Sequence, residues 1–258
     1  MFILFIYGLL LGSFYNVVGL RIPVNQSIIA PRSACPRCHH TLTAVELIPV
    51  VSFLLQGGKC RRCKAKISPI YPLVELATGI LFMVAPLIIG WNGELLVALT
   101  LISLCMIIFV TDITYMLIPD KILLFFLGLF VIERIVFPLN PWYDSLVGGV
   151  VAFSLLLFIA YISKGGMGGG DIKLFGLLGI VLGLKIVLLA FFLSTLIGTL
   201  DGIRRMVLGK YKKREPVPFG PSIIVGTLIA YFFGDSLIDL YISLIGLNVG
   251  GYEYGHFF

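Results

Sequence analysis

Apolar residues along this chain come in long blocks, with neither the strict alternation of a half-buried strand nor the one-sided stripe of a soluble helix. Blocks of about 17–25 apolar residues are long enough to cross a hydrocarbon layer as helices. Eight such spans are expected, roughly at 1–20, 69–90, 95–113, 118–137, 144–163, 171–183, 185–206 and 219–242. The sixth is short, and Gly183-Leu184-Lys185 joins it tightly to the seventh. Residues 171–206 therefore read either as two spans or as one broken span with a full one. The expected fold class is all-α, a polytopic membrane helical bundle of about eight transmembrane helices. No internal repeat and no low-complexity tract stands out. Met1 to Leu20 carries no basic n-region and no small-residue cleavage site, so it reads as a retained first span.

Composition agrees with this pattern. The chain is 59% hydrophobic and 12% charged, with a mean hydropathy of +1.07, whereas soluble domains carry roughly 25% charged residues. Its Lys and Arg, 19 against 13 acids, mark topology and not a nucleic-acid surface. Arg21, Arg32, Arg37, Lys59, Arg61, Arg62, Lys64 and Lys66 lie between the first and second spans. Arg204, Arg205, Lys210, Lys212, Lys213 and Arg214 lie before the last, and the loops on the other side hold almost no basic residues. The positive-inside rule makes both basic loops cytoplasmic and both termini external. The expected organisation is a first helix (1–20), a cytoplasmic loop (21–68), a seven-helix core (69–242) and an extracytoplasmic tail (243–258).

The loop carries Cys35-Pro-Arg-Cys38 and Cys60-Arg-Arg-Cys63, separated by 21 residues. Two C-x-x-C knuckles match a tetrahedral structural zinc site, Cys35, Cys38, Cys60 and Cys63 being the ligands. A loop this small buries little core, and a reducing cytoplasm favours metal over disulfides. His39 and His40 are expected to face solvent, since four thiolates complete the shell. The apolar segment 47–55 is too short to span; it either lies on the membrane surface or forms the loop's small core. Cys105, alone in an apolar run, reads as a buried hydrophobe.

Acids at the edges of apolar runs are the remaining candidates for chemistry. Asp112 ends the third span, and Asp171 opens the sixth after Lys164-Gly-Gly-Met-Gly-Gly-Gly. Span counting puts both at one depth on the cytoplasmic face. An ionisable group there is costly unless paired or hydrated. Two carboxylates close together share a proton, which is the condition for aspartyl protease chemistry. Two independent helix caps would give the same spacing, and the glycines fit either a hinge or a close backbone approach. Asp120 after Pro119 reads as an N-cap, Asp201 as facing the bundle interior, and Asp235 and Asp239 as solvated.

Taken together, these residues resemble the type IV prepilin peptidases, which are bifunctional leader peptidase/N-methyltransferases. Gly166-Met-Gly168-Gly-Gly170-Asp171-Ile-Lys173 is similar to their G-x-G-D motif, and Gly12-Ser-Phe-Tyr-Asn16-Val-Val-Gly-Leu-Arg21-Ile-Pro23 to their opening. The two Cys pairs, Tyr71-Pro-Leu-Val-Glu75, Asp112 with Pro119-Asp120, and Pro216-Val-Pro-Phe-Gly-Pro221 follow in the family's order; Ile118 stands where Leu is usual. The resemblance implies Asp112 and Asp171 as the catalytic acids, and Gly168, Gly170 and Lys173 as substrate-binding residues. It further implies prepilin or pseudopilin substrates cleaved after a glycine on the cytoplasmic side of a bacterial plasma (inner) membrane. The new N-terminus is then methylated from S-adenosylmethionine, and zinc is the structural metal. No Gly-rich nucleotide motif locates the methyl donor. Rival readings are an intramembrane aspartyl protease without methylation, an ion-coupled transporter, which predicts deep acids and inverted repeats, and a zinc-binding membrane adaptor.

Overall fold

The computed structural model describes residues 1–164, 166–209 and 218–244. Lys210, Lys212, Lys213 and Arg214, part of the charge count above, lie outside the described residues, as does most of the expected tail. Among the described residues there are eight α-helices: α1 (Phe2–Arg21), α2 (Val51–Leu55), α3 (Ile70–Ile89), α4 (Gly93–Tyr115), α5 (Asp120–Val136), α6 (Asp144–Ile162), α7 (Gly169–Val207) and α8 (Gly220–Leu244). Six of them, α1, α3, α4, α6, α7 and α8, are long and apolar enough to cross a membrane. At 17 residues, α5 is at the short end of the range for a span.

The 39 residues of α7 are a hairpin. Gly183 interrupts the helix at φ 74, ψ 174, a conformation that essentially only glycine adopts. Phe175 and Phe191 would stand about 24 Å apart along a straight helix, yet their rings meet edge-on with centroids 5.5 Å apart. The two arms therefore fold back on each other, which resolves residues 171–206 into a short sixth and a full seventh segment.

The chain forms two compact units. Unit 1 is Met1–Leu87 with Ala98–Ile122. In it α1 packs antiparallel to α3: a Cβ at Gly8 would strike the Gly79 Cα at 2.7 Å, and one at Gly12 the Glu75 Cα at 2.8 Å. Lipid supplies no hydrophobic force between helices, so close backbone contact through small residues takes its place. The apolar body of α4 completes the unit, with Leu101, Ile102, Leu104 and Ile108 fully buried. The Tyr15 hydroxyl bonds Ser103 Oγ at 2.6 Å, and Tyr115 donates to the Leu20 carbonyl at 2.8 Å. Cys105 is buried as expected.

Unit 2 is Ile88–Val97 with Leu123–Phe258. Helix α6 lies antiparallel on the first arm of α7, Gly148 facing Gly179 backbone to backbone, and α8 lies antiparallel on the second arm, Gly226 against Ser194. Arg134 is buried and holds both carboxylate oxygens of Glu94, at 2.7 and 2.9 Å, while Tyr231 donates to the same carboxylate at 2.7 Å. Asp201 does not serve the bundle interior: it pairs with Arg204 and Arg205 on its own helix, at 2.7 and 2.6 Å. Asp235 pairs with Lys185 at 3.0 Å on an exposed surface.

Candidate active site and metal centre

The loop of residues 22–68 is built on two copies of one knuckle. The Cys35 N–H donates to the His40 carbonyl and the His39 N–H to the Cys35 carbonyl, both at 2.9 Å; the Cys60 N–H donates to Ala65 and the Lys64 N–H to Cys60, at 2.8 and 3.0 Å. Antiparallel bridges Ala34–Thr41 and Lys59–Lys66 close the two copies. His39 and Lys64 take the same positive φ, 54° and 58°. This is an internal repeat that side-chain composition largely hides, because only the cysteines and one arginine (Arg37 and Arg62) are shared while the rest of the likeness lies in the backbone.

The knuckles face each other and bring all four sulfurs within 4.8 Å of one another. Cys35 Sγ lies 3.8 Å from Cys63 Sγ, and Cys38 Sγ 3.9 Å from Cys60 Sγ. A tetrahedron with Zn–S bonds of about 2.3 Å has edges of about 3.8 Å. The backbone N–H groups of Cys38 and Arg37 pull the Cys35 thiol down to about 6. At Cys38 the His40 N–H also lowers the pKa, but desolvation and the neighbouring thiols outweigh it and push the value up to about 11. Sulfurs this crowded all carry charge together only when a cation sits among them, so the donor set fits a tetrahedral metal.

His39 is exposed, whereas His40 is half-buried with Nε2 3.3 Å from Glu46. The expectation that both histidines face solvent holds for the first alone. Glu46 also accepts the Thr43 N–H and hydroxyl at 3.0 and 2.9 Å, and these bonds, with His40 adding to them, hold its carboxyl below the usual range. Val45, Ile48, Val51, Leu54 and Leu55 are exposed. The apolar segment is therefore not the loop's core, which is sulfur and hydrogen bonds.

Asp112 is buried in unit 1, three residues before the end of α4. Asp171 is half-buried in unit 2, in the first turn of α7. Gly168 is the N-cap of that helix, and its carbonyl accepts the Asp171 N–H at 3.1 Å. A Cβ at Gly168 would meet Asp171 Oδ2 at 3.0 Å, whereas one at Gly169 would meet nothing within 4 Å. The first glycine makes room for the carboxylate, and the second leaves open space beside it. Gly168 and Lys173 are exposed and Gly170 half-buried. Asp120 is exposed as the first residue of α5.

Glu75, which the sequence offers as part of Tyr71-Pro-Leu-Val-Glu75 without a role, acquires a partner here. It is buried in α3, and its Oε2 accepts the Val50 N–H from the loop at 2.8 Å.

Residues 6–89 match the bacterial peptidase A24 N-terminal domain, and residues 99–203 the type IV leader peptidase family. The chain is 51% identical over 242 residues to a prepilin leader peptidase/N-methyltransferase of Bacillus subtilis (strain 168), covering 94% of this chain and 98% of that protein. Proteins of the same name from Aeromonas salmonicida (strain A449) and Pseudomonas aeruginosa are each 34% identical, over 277 and 271 residues. Those alignments cover 94% of both chains in the first case and 93% in the second. No solved structure matches the chain. Matches to both halves of the chain, and identity along nearly the full length of these relatives, show that it belongs to the type IV leader peptidase family.

Proposed function

We propose that this protein is a membrane aspartyl endopeptidase that removes the leader of prepilin-like proteins and N-methylates the new N-terminal residue. The observation that carries this is 51% identity over 98% of a relative whose name states both activities. Asp112 and Asp171 are the catalytic pair. One carboxylate takes a proton from water as it attacks the scissile carbonyl, and the other, protonated, donates to the carbonyl oxygen. The tetrahedral adduct then expels the amine, which leaves with a proton from the pair. Gly168, Gly170 and Lys173 face the substrate. Bare backbone beside Asp171 lets an extended segment lie close, as in strand addition.

The division into a first helix, loop 21–68, core 69–242 and tail 243–258 is part of the same proposal, as is a cytoplasmic active site in a bacterial plasma membrane. Both basic loops support that orientation. Zinc held by Cys35, Cys38, Cys60 and Cys63 is structural, because four thiolates leave no open position for hydrolysis. When bound, S-adenosylmethionine supplies the methyl group: the neutral amine forms the C–N bond as the C–S bond breaks, the electron pair stays on sulfur, and the ammonium sheds a proton to water.

The test is to incubate purified protein with a prepilin-like peptide and S-adenosylmethionine, and to read the products by mass spectrometry. Leader loss and a methyl gain on the mature N-terminus are expected. Leader loss without methylation would leave a plain protease, and an intact peptide would refute the reading.

A further inference from the structure

The short helix α2 turns its apolar side outward. Val51, Leu54 and Leu55 are exposed, and they share one face because helical neighbours lie three and four residues apart. Ser52, Phe53 and Gln56 occupy the other face and line a cavity against α1 and α3. Just before the helix, Val45 and Ile48 are exposed as well. The side toward the protein is thus the mixed one, and the side facing away is wholly apolar.

A hydrogen bond sets the depth of this face. The Val50 N–H donates to Glu75 Oε2 at 2.8 Å. Glu75 is the sixth residue of α3, a helix of 20 residues, so it lies about 7.5 Å inside the first one. A helix of that length is about as long as the hydrocarbon layer is thick. Helix α2 therefore begins at the depth where headgroups give way to acyl chains. Leu73 and Leu76, flanking Glu75 on α3, are exposed too, so the outward face of α2 starts level with a lipid-facing stretch of a spanning helix. Val50 takes φ 60, ψ −50 at this junction, which is rare for a β-branched residue and persists only where the surroundings fix it.

The second cysteine knuckle follows at once, the Gly58 N–H donating to the Phe53 carbonyl at 2.9 Å. It carries Lys59, Arg61, Arg62, Lys64 and Lys66, all exposed. None of them pairs with an acid among the described residues. An apolar face at interfacial depth beside a group of cations matches the chemistry of an anionic bilayer surface. We infer that α2 is an interfacial anchor. Val51, Leu54 and Leu55 enter the boundary between headgroups and acyl chains, and the basic knuckle takes the headgroup phosphates. The loop is then held at three points, by α1, by α3 and by lipid. The inference rests on α1 and α3 crossing the membrane and not on the catalytic reading.

The test uses the full chain, zinc-loaded and purified, in nanodiscs of phosphatidylglycerol and phosphatidylcholine. In a Trp91→Phe, Trp142→Phe background, which removes both native tryptophans, Leu55→Trp supplies a single fluorophore. Phospholipid brominated near the top of its acyl chains is expected to quench it at least about twofold, since an interfacial helix buries its apolar face about 5–10 Å at that boundary. Zinc content and helical circular dichroism should match the tryptophan-free parent. In nanodiscs of phosphatidylcholine alone the quenching is expected to fall by about half. Emission that brominated lipid leaves unchanged would overturn the inference. Quenching independent of lipid charge would overturn the part given to the basic knuckle. Quenching relieved by a prepilin-like peptide would overturn it in favour of a peptide-docking face. Leader cleavage can persist through each of these outcomes, so the proposed function stands or falls separately.

Discussion

The cysteine loop and the α6–α8 bundle are held together by opposite means. The loop keeps Val45, Ile48, Val51, Leu54 and Leu55 outside and buries two cysteines, Pro49 and a carboxylate. Its shape comes from two backbone knuckles and the sulfurs between them. The bundle has apolar side chains in excess: α6 and α8 leave most of theirs on the outside, α7 buries the larger part of its own, and the helices approach through glycine. The difference follows from the solvent. In water a segment this short lacks the core to fold alone, and a cluster of four thiolates that can hold a metal offers a source of the missing free energy. In lipid apolar area gains nothing by helix contact, so what remains is close van der Waals fit and the few polar bonds, such as Arg134 on Glu94.

The comparison breaks most sharply at the metal. Cys60→Ser, or exhaustive chelation, should remove about one zinc per chain. Structural zinc contributes roughly 10–16 kcal/mol in small domains, so residues 21–68 should become open to limited proteolysis while helical circular dichroism stays. A protein that holds no metal, or a loop that stays protected without it, would contradict the description of the loop.

In the bundle the corresponding blow is a side chain between touching backbones. Gly179→Leu should force α6 from α7 at a cost at or above the roughly 1–3 kcal/mol of overpacking, read as a lower unfolding temperature in detergent. Gly128→Leu, where a Cβ meets nothing within 4 Å, should change little. Equal effects from the two would show that glycine contact does not hold the bundle.

The finest contrast lies within one motif. Gly168→Ala crowds Asp171 Oδ2 and should slow leader cleavage by about 10–100-fold, since sub-ångström misplacement of a reacting group is costly. Gly169→Ala, facing open space, should cost less than about threefold if a neighbouring side chain is tolerated by the substrate. Equal losses would mean that the glycines serve the substrate and not the carboxylate.

Much of this was legible in the sequence because membrane helices announce themselves. Each must be a long apolar run, and the limits expected for α1, α4 and α6 fall within a few residues of those observed. The cysteine cluster was legible because ligand type and spacing are set by tetrahedral geometry. Partnership across distance was not. Glu94 and Arg134 are forty residues apart, and Val50 and Glu75 twenty-five; no local pattern joins them. The fold-back at Gly183 was open for a related reason: a glycine in an apolar run fits a kink or a reversal equally, and only the meeting of Phe175 with Phe191 separates the two.

The central claim is that two aspartates, and not the metal, cleave the leader. The direct measurement is leader release from a prepilin-like peptide by Asp112→Asn and Asp171→Asn, with zinc content and adenosyl-donor binding recorded on the same preparations. An amide keeps the shape of the side chain but cannot take the proton from water. Each variant is predicted to lose cleavage by at least about 10³-fold while its zinc and donor binding match wild type. Release near the wild-type rate by either variant would contradict the account.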